Sequence, residues 1–135
     1  MDTITLKEDL PVFGLPVKNF PEGIGETFDK LVSLVPGGFS RPYYGISKMT
    51  DHGMYYLAAA LERSKGEAEQ CHCERATTEH GEYLTEAVKD WRLKTDSING
   101  VFHTLLQHPK ADNTRPCVEW YKNDQEMVCM VRARS

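Results

Sequence analysis

The sequence has no cluster of Lys and Arg, no long apolar run and no second closely spaced cysteine pair, and each gap removes a class of function. In a chain of 135 residues with a formal charge of −4, scattered basic residues give little purchase on a phosphate backbone, which argues against a general affinity for nucleic acid. No stretch approaches the ~20 apolar residues of a spanning helix. The segment Met1-Asp2-Thr3-Ile4-Thr5-Leu6-Lys7 shows no basic region followed by an apolar one. A cytoplasmic protein that avoids membranes is therefore expected. Low-complexity linkers, charge blocks and coiled-coil heptads are missing too, so one shared core is expected.

Four cysteines, Cys71, Cys73, Cys117 and Cys129, stand without a secretory leader and read as reduced thiols. Cys71-His72-Cys73, with His80 nearby, invites comparison with a zinc site. Tetrahedral sites draw on more widely spaced pairs. This C-x-C, read as part of a strand, puts both thiols on one face with no second pair to complete the set. No metal and no cofactor are expected.

What is present is a repeat. Ile24, Phe28, Leu31 and Val32 return as Ile98, Phe102, Leu105 and Leu106, each 74 positions on, and the same offset carries Ser40-Arg41-Pro42 onto Thr114-Arg115-Pro116. One offset linking both a helix stripe and the lead-in to the next strand points to a duplicated unit. Leu10 to Val17 reads as a first strand, its Pro11 and Pro16 suiting an edge. A helix on the stripe Ile24, Phe28, Leu31, Val32 and Val35 follows, stopped by Pro36-Gly37-Gly38. Two strands, Pro42 to Met49 and Met54 to Glu62, flank the turn Thr50-Asp51-His52-Gly53. Ser64-Lys65-Gly66-Glu67 reads as a polar connection and Gln70 to Thr78 as a further strand. The second unit repeats the order: Glu82 to Lys89, a helix from Asp96 or Ser97 to His108 with Pro109 as its stop, then Pro116 to Tyr121 and Met127 to Arg132 around Lys122-Asn123-Asp124-Gln125. The predicted class is α+β, a tandem βαββ duplication over residues 10–62 and 82–132, with an antiparallel sheet and both helices on one face.

Two such copies meet in a seam. Alternation along Cys117-Val118-Glu119-Trp120-Tyr121 puts Val118 and Trp120 on one face and Cys117, Glu119 and Tyr121 on the other. The apolar pair is expected to meet the helices, as are Tyr44 and Ile46 in the first copy. Glu119 then shares the far face with its counterpart Gly45, beside Tyr43 and Ser47. One copy supplies an acid and the other supplies room, which predicts a cleft on the far face with tyrosines at its rim. Two readings of Glu119 stand: a solvated strand residue, or a carboxylate desolvated by aromatic rings that binds a cation or moves a proton. Tyr56, on the side of Ala58, Ala60 and Glu62, reads either as a cleft residue or as a packed aromatic. Trp91, between Asp90 and Arg92, reads as core or as lid. Met54, Met127 and Met130 read as core fillers.

The tandem βαββ units, the Tyr56 strand with its small residues, Gly81-Glu82-Tyr83, Trp91 and above all Pro116-Cys117-Val118-Glu119-Trp120-Tyr121 together resemble the GyrI-like small-molecule-binding family. That family's fold serves as the effector-binding domain of AraC-type and MerR-type regulators and also stands alone. The resemblance runs from about Leu10 to Arg132. It implies an aromatic cleft on the pseudo-two-fold axis with Glu119 at its floor and Tyr56, Trp91, Tyr121, Tyr43, Gly45, Tyr83 and Cys117 around it. It further implies a small hydrophobic or cationic ligand. Some standalone members resemble hydrolases that open strained cyclopropane rings of DNA-alkylating compounds; here Glu119 would act as base or water-orienting group, with Trp91 and Tyr56 positioning the ligand. A third implied class is a protein-interaction module of the gyrase-inhibitor type, its partner unknown. No DNA-binding segment accompanies the domain, so direct DNA binding is not expected.

Overall fold

The structure, a computed structural model, describes residues 1–18, 22–123 and 125–134. Its elements run β1 Asp2–Leu6, β2 Leu10–Pro16, α1 Ile24–Leu34, β3 Tyr43–Thr50, β4 Gly53–Leu61, α2 Glu67–Gln70, β5 Glu74–Thr78, β6 Gly81–Lys89, α3 Ile98–Leu106, β7 Cys117–Tyr121 and β8 Glu126–Arg132. The order βαββ occurs twice, as the repeat requires. All eight strands form one antiparallel sheet in the order β1-β6-β8-β7-β3-β4-β2-β5. That order reads as a palindrome about the β3–β7 contact, where Gly45 lies directly opposite Glu119.

Local chemistry sets the element ends. Gly23, at φ 85°, enters α1 with no side-chain cap, and Thr27 returns a hydroxyl to the Gly23 carbonyl at 2.7 Å. Val35 is already extended and Pro36 follows, so the helix stops. The β3–β4 turn closes with Thr50 opposite Gly53, whose φ of 105° suits glycine. In the β7–β8 turn the Asn123 side chain accepts from the Gln125 and Glu126 amides, each at 2.8 Å; Asp124 lies outside the described residues.

Three expectations need correction. β2 is not an edge: it lies between β4 and β5. Its prolines sit at or next to the strand ends, and the Pro11 carbonyl still accepts from the Glu62 amide at 2.9 Å. Cys71 and Cys73 are not in a strand, because α2 ends at Gln70 and His72 takes a left-handed turn at φ 56° before β5 begins. Among the described residues no three His, Cys, Asp or Glu side chains gather as a metal site, and His80 bonds Asp9 at 2.6 Å instead. Glu67, read as part of a polar connection, is buried. Its side chain is 8% exposed against 4% for Arg41, which it meets at 2.8 Å. Arg41 also donates to the Pro36 and Leu61 carbonyls, while Glu67 accepts from the Arg63 and Ser64 amides. This knot ties the end of α1, the end of β4 and the start of α2.

The core has three parts. α1 packs on Phe13, Tyr43, Tyr56, Ala58 and Ala60, and α3 on Leu84, Val88, Cys129 and Val131, both on the same sheet face. The opposite face gathers Tyr44, Ile46, Val118 and Met130 with Ile4 and Leu6 from one end of the sheet and Leu10 and Ala76 from the other. The sheet therefore curls and buries that face against itself. Each fully buried Phe or Leu in these clusters contributes about 1.5–3 kcal/mol relative to exposure. No helix among the described residues is long and apolar enough to cross a membrane.

Candidate functional site

The facing of the central strands is the reverse of the sequence expectation. Val118 and Trp120 lie on the self-buried face, with Tyr44 and Ile46, while Cys117, Glu119 and Tyr121 lie under the helices. Alternation separated the two sets correctly. It could not tell which set the helices cover, because a curled sheet makes both faces apolar. The acid thus sits in the helix-side seam where the two units meet.

Two tyrosines converge on one oxygen there. Tyr56, 2% exposed, donates its hydroxyl to Glu119 Oε1. Tyr121 donates to the same Oε1 at 2.8 Å, and the two hydroxyls stand 3.4 Å apart. Among the described residues Glu119 Oε2 accepts no hydrogen bond and the carboxyl has no ion-pair partner. Gly45, read as empty space opposite the acid, is instead where Tyr56 and Glu119 meet: a Cβ there would lie under 3.0 Å from the Tyr56 hydroxyl and from Glu119 Oε1. The glycine makes the hydrogen bond possible.

Aromatic rings close the seam. Tyr121 packs edge-on against Trp91 at 4.9 Å between centroids and against Phe28 at 5.3 Å. Phe28 also meets Tyr43 and Tyr56, each at 6.5 Å. Trp91 is anchored by its Nε1–H donating to the Asn123 carbonyl at 3.0 Å. Tyr43 spends its hydroxyl on the Gly38 carbonyl at 2.7 Å and contributes only its ring. Glu119, Tyr56, Tyr121, Tyr43, Gly45, Cys117 and Trp91 are therefore brought to one face. Tyr83 is not: it points to the opposite face and bonds the Glu79 carbonyl at 2.7 Å. Phe28 is the residue that sequence reasoning missed: the sequence places it only in the α1 core stripe, because the cleft is expected there on the face away from the helices.

Burial raises the Glu119 carboxyl above its ordinary 4.5, and the two phenol hydrogen bonds pull it part of the way back. Burial and the adjacent acid push Tyr56 and Tyr121 well up, so both stay neutral donors. Burial, with Glu119 adding to it, lifts the thiols of Cys117 to about 11 and Cys129 to about 12, so neither is a ready nucleophile. The raised Glu119 value means that its folded form binds a proton more tightly than its unfolded form. Its contribution to stability is complete below 4.5 and is lost as pH rises through the raised value. Carbon NMR of the Glu119 carboxyl should show a midpoint above 4.5, moved further up in Tyr56→Phe and in Tyr121→Phe. A midpoint unmoved by both substitutions would show that the phenols do not hold the charge.

No family model and no curated protein matches the sequence. Solved structures do match the fold. An integron cassette protein from the mobile metagenome of Vibrio cholerae superposes with a TM-score of 0.72 at 16% identity, over 98% of this chain and 95% of that one. The protein SAV2435, solved bound to tetraphenylphosphonium, gives 0.71 at 13% identity over 99% and 93%. A hydrolase from Listeria innocua gives 0.65 at 11% identity over 98% and 90%. These proteins share the fold of this chain. At these identities the likeness speaks for fold alone.

Proposed function

We propose that the seam between α1 and α3 binds small aromatic cations, with Glu119 as countercharge and Phe28, Trp91 and Tyr121 as the walls. One observation carries this reading: a half-buried carboxylate among aromatic rings whose described partners are two neutral phenols on a single oxygen, with no Lys or Arg paired to it among the described residues. A half-buried acid without a cation carries a desolvation cost, and a ligand that brings positive charge on flat apolar groups lowers that cost. The fold shared with a protein that binds tetraphenylphosphonium supports the same class of ligand.

Binding of tetraphenylphosphonium measured by calorimetry tests this. Glu119→Gln should weaken it ~10–100-fold, the range of one desolvated charge contact, and leave neutral triphenylphosphine oxide unchanged. Wild-type affinity should fall as pH drops through the Glu119 value, with proton release on binding, because the ligand favours the ionised acid. Equal affinities for Glu119→Gln and wild type would end the countercharge role. The ring-opening hydrolase reading uses the same carboxylate, and its support is the raised proton affinity of Glu119 in an aromatic seam. Turnover of a cyclopropane-containing alkylator, lost in Glu119→Ala, would favour it over binding alone.

A further inference from the structure

On the face away from the helices, the connection from β5 to β6 crosses the sheet above a cavity of about 70 Å³ whose walls include Ile46, Thr78, Glu79, Tyr83, Arg115 and Arg132. Two of its buried polar atoms, Thr78 Oγ1 and Arg132 Nε, have no hydrogen-bond partner. Thr78 is only 4% exposed. Such orphans are few in folded proteins and call for an occupant or a reason.

The two arginines of this cavity are differently employed. Arg115 is held by Glu79 at 2.7 Å and Asp112 at 3.7 Å, so its charge is answered. Arg132 lies over the Tyr83 ring, 5.6 Å from its centroid, and has no ion pair among the described residues. Asp9, bound to His80, senses Arg132 only through space. The backbone makes room for this guanidinium: Gly81 sits at φ 134°, and a Cβ there would lie under 3.0 Å from it. A planar cation with an unanswered Nε–H, a hydroxyl nearby and apolar walls of Ile46 and Val118 form half of a carboxylate site.

We propose that this cavity binds a small carboxylate, gripped by Arg132 with the Thr78 hydroxyl donating to the same group. The volume suits an acid of formate or acetate size, or the carboxylate end of a slender metabolite, better than a tetrahedral phosphate ester. Charge-assisted bonds from a guanidinium are about twice as strong as neutral ones, so an anion is favoured over water alone. The site is independent of the Glu119 seam, which lies across the sheet.

Thermal unfolding at constant ionic strength, with sodium acetate or formate replacing sodium chloride, tests the assignment. Acetate at ten times its dissociation constant should raise Tm by about 4 °C. Arg132→Gln should abolish the rise, and Thr78→Val should weaken acetate at least ~10-fold, the worth of a charge-assisted hydrogen bond. Saturating tetraphenylphosphonium should leave the acetate response intact. Should Arg132→Gln fail to fold, NMR of the wild type keeps the test alive: acetate titration must shift the Thr78 methyl and the Arg132 Nε–H together in a saturable way. An equal rise with inorganic phosphate in place of chloride, a rise surviving Arg132→Gln, resonances that ignore acetate, or acetate-grown crystals with only water between Thr78 and Arg132 would each overturn it.

Discussion

Arg41→Ala is expected to destabilise the fold by about 3–5 kcal/mol, the usual cost of leaving one member of a buried ion pair behind. The Arg41 and Glu67 side chains are 4% and 8% exposed. Without the guanidinium, Glu67 keeps only the Arg63 and Ser64 amides, and the Pro36 and Leu61 carbonyls lose their donor. The Arg41 Nε is already unpartnered, so the wild-type knot is not ideal, and replacing both residues by apolar ones should cost less than Arg41→Ala alone. The repeat provides an internal control. Arg115, in the matching position, pairs with Glu79 at side-chain exposures of 43% and 52%, so Arg115→Ala should stay within about 1 kcal/mol. Urea unfolding of the two variants measures the contrast, and similar losses would mean that burial does not set the energy.

The same pair governs acid sensitivity. The Arg41 guanidinium and the two amides hold Glu67 down to about 2. A depressed carboxyl contributes stability above its unfolded value of 4.5, and that stability is lost as pH falls toward 2. Glu67→Gln should therefore flatten the acid limb of the stability profile. Glu119, raised rather than lowered, acts with the opposite sign and weakens the fold as pH climbs.

The helix stripes, the two hairpins and the pairing of Gly45 with Glu119 were legible because a period and an offset encode them. β1 was overlooked although Ile4 and Leu6 alternate with Thr3 and Thr5; five residues at a terminus give a weak pattern, and only the pairing with β6 makes them a strand. α2 was not foreseen: Glu67 reads as the end of a polar connection and Gln70 as the start of a strand, because Glu67 looks like a surface residue until Arg41 is brought to it. The offset itself hid one difference. It holds through β3 and β7, but Ser47 lies opposite Tyr56 whereas its counterpart Tyr121 lies opposite Met127, so the second hairpin turns back sooner. Ala58 and Cys129, not residues 74 positions apart, thus stand in matching places beside Gly45 and Glu119. By the same shift Tyr56 matches Met127, so the first unit supplies the inner phenol and the second supplies the acid. The facing error has one cause: alternation separates two faces, and curvature decides which the helices cover.

Gly45→Ala should be nearly as costly as breaking the Arg41 knot, about 3 kcal/mol, the upper end for overpacking a filled interior. The new methyl must displace the Tyr56 hydroxyl and Glu119 Oε1 together. Neither can yield freely: Tyr56 is fixed by Phe28 and Ala58, and Glu119 is tied to Tyr121. Loss of the Tyr56 hydrogen bond should also push the Glu119 carboxyl further up, since that bond is one of the two holding it down. Cation binding should weaken for the same reason. A double-mutant cycle separates packing from hydrogen bonding. Tyr56→Phe removes one of the two clashing oxygens, so it should cost less in the Gly45→Ala background than in the wild type, with a coupling of about 1 kcal/mol or more. Additive losses in urea would mean that the methyl and the hydroxyl never compete for the same space, and the seam would then have slack that the wild-type geometry does not show.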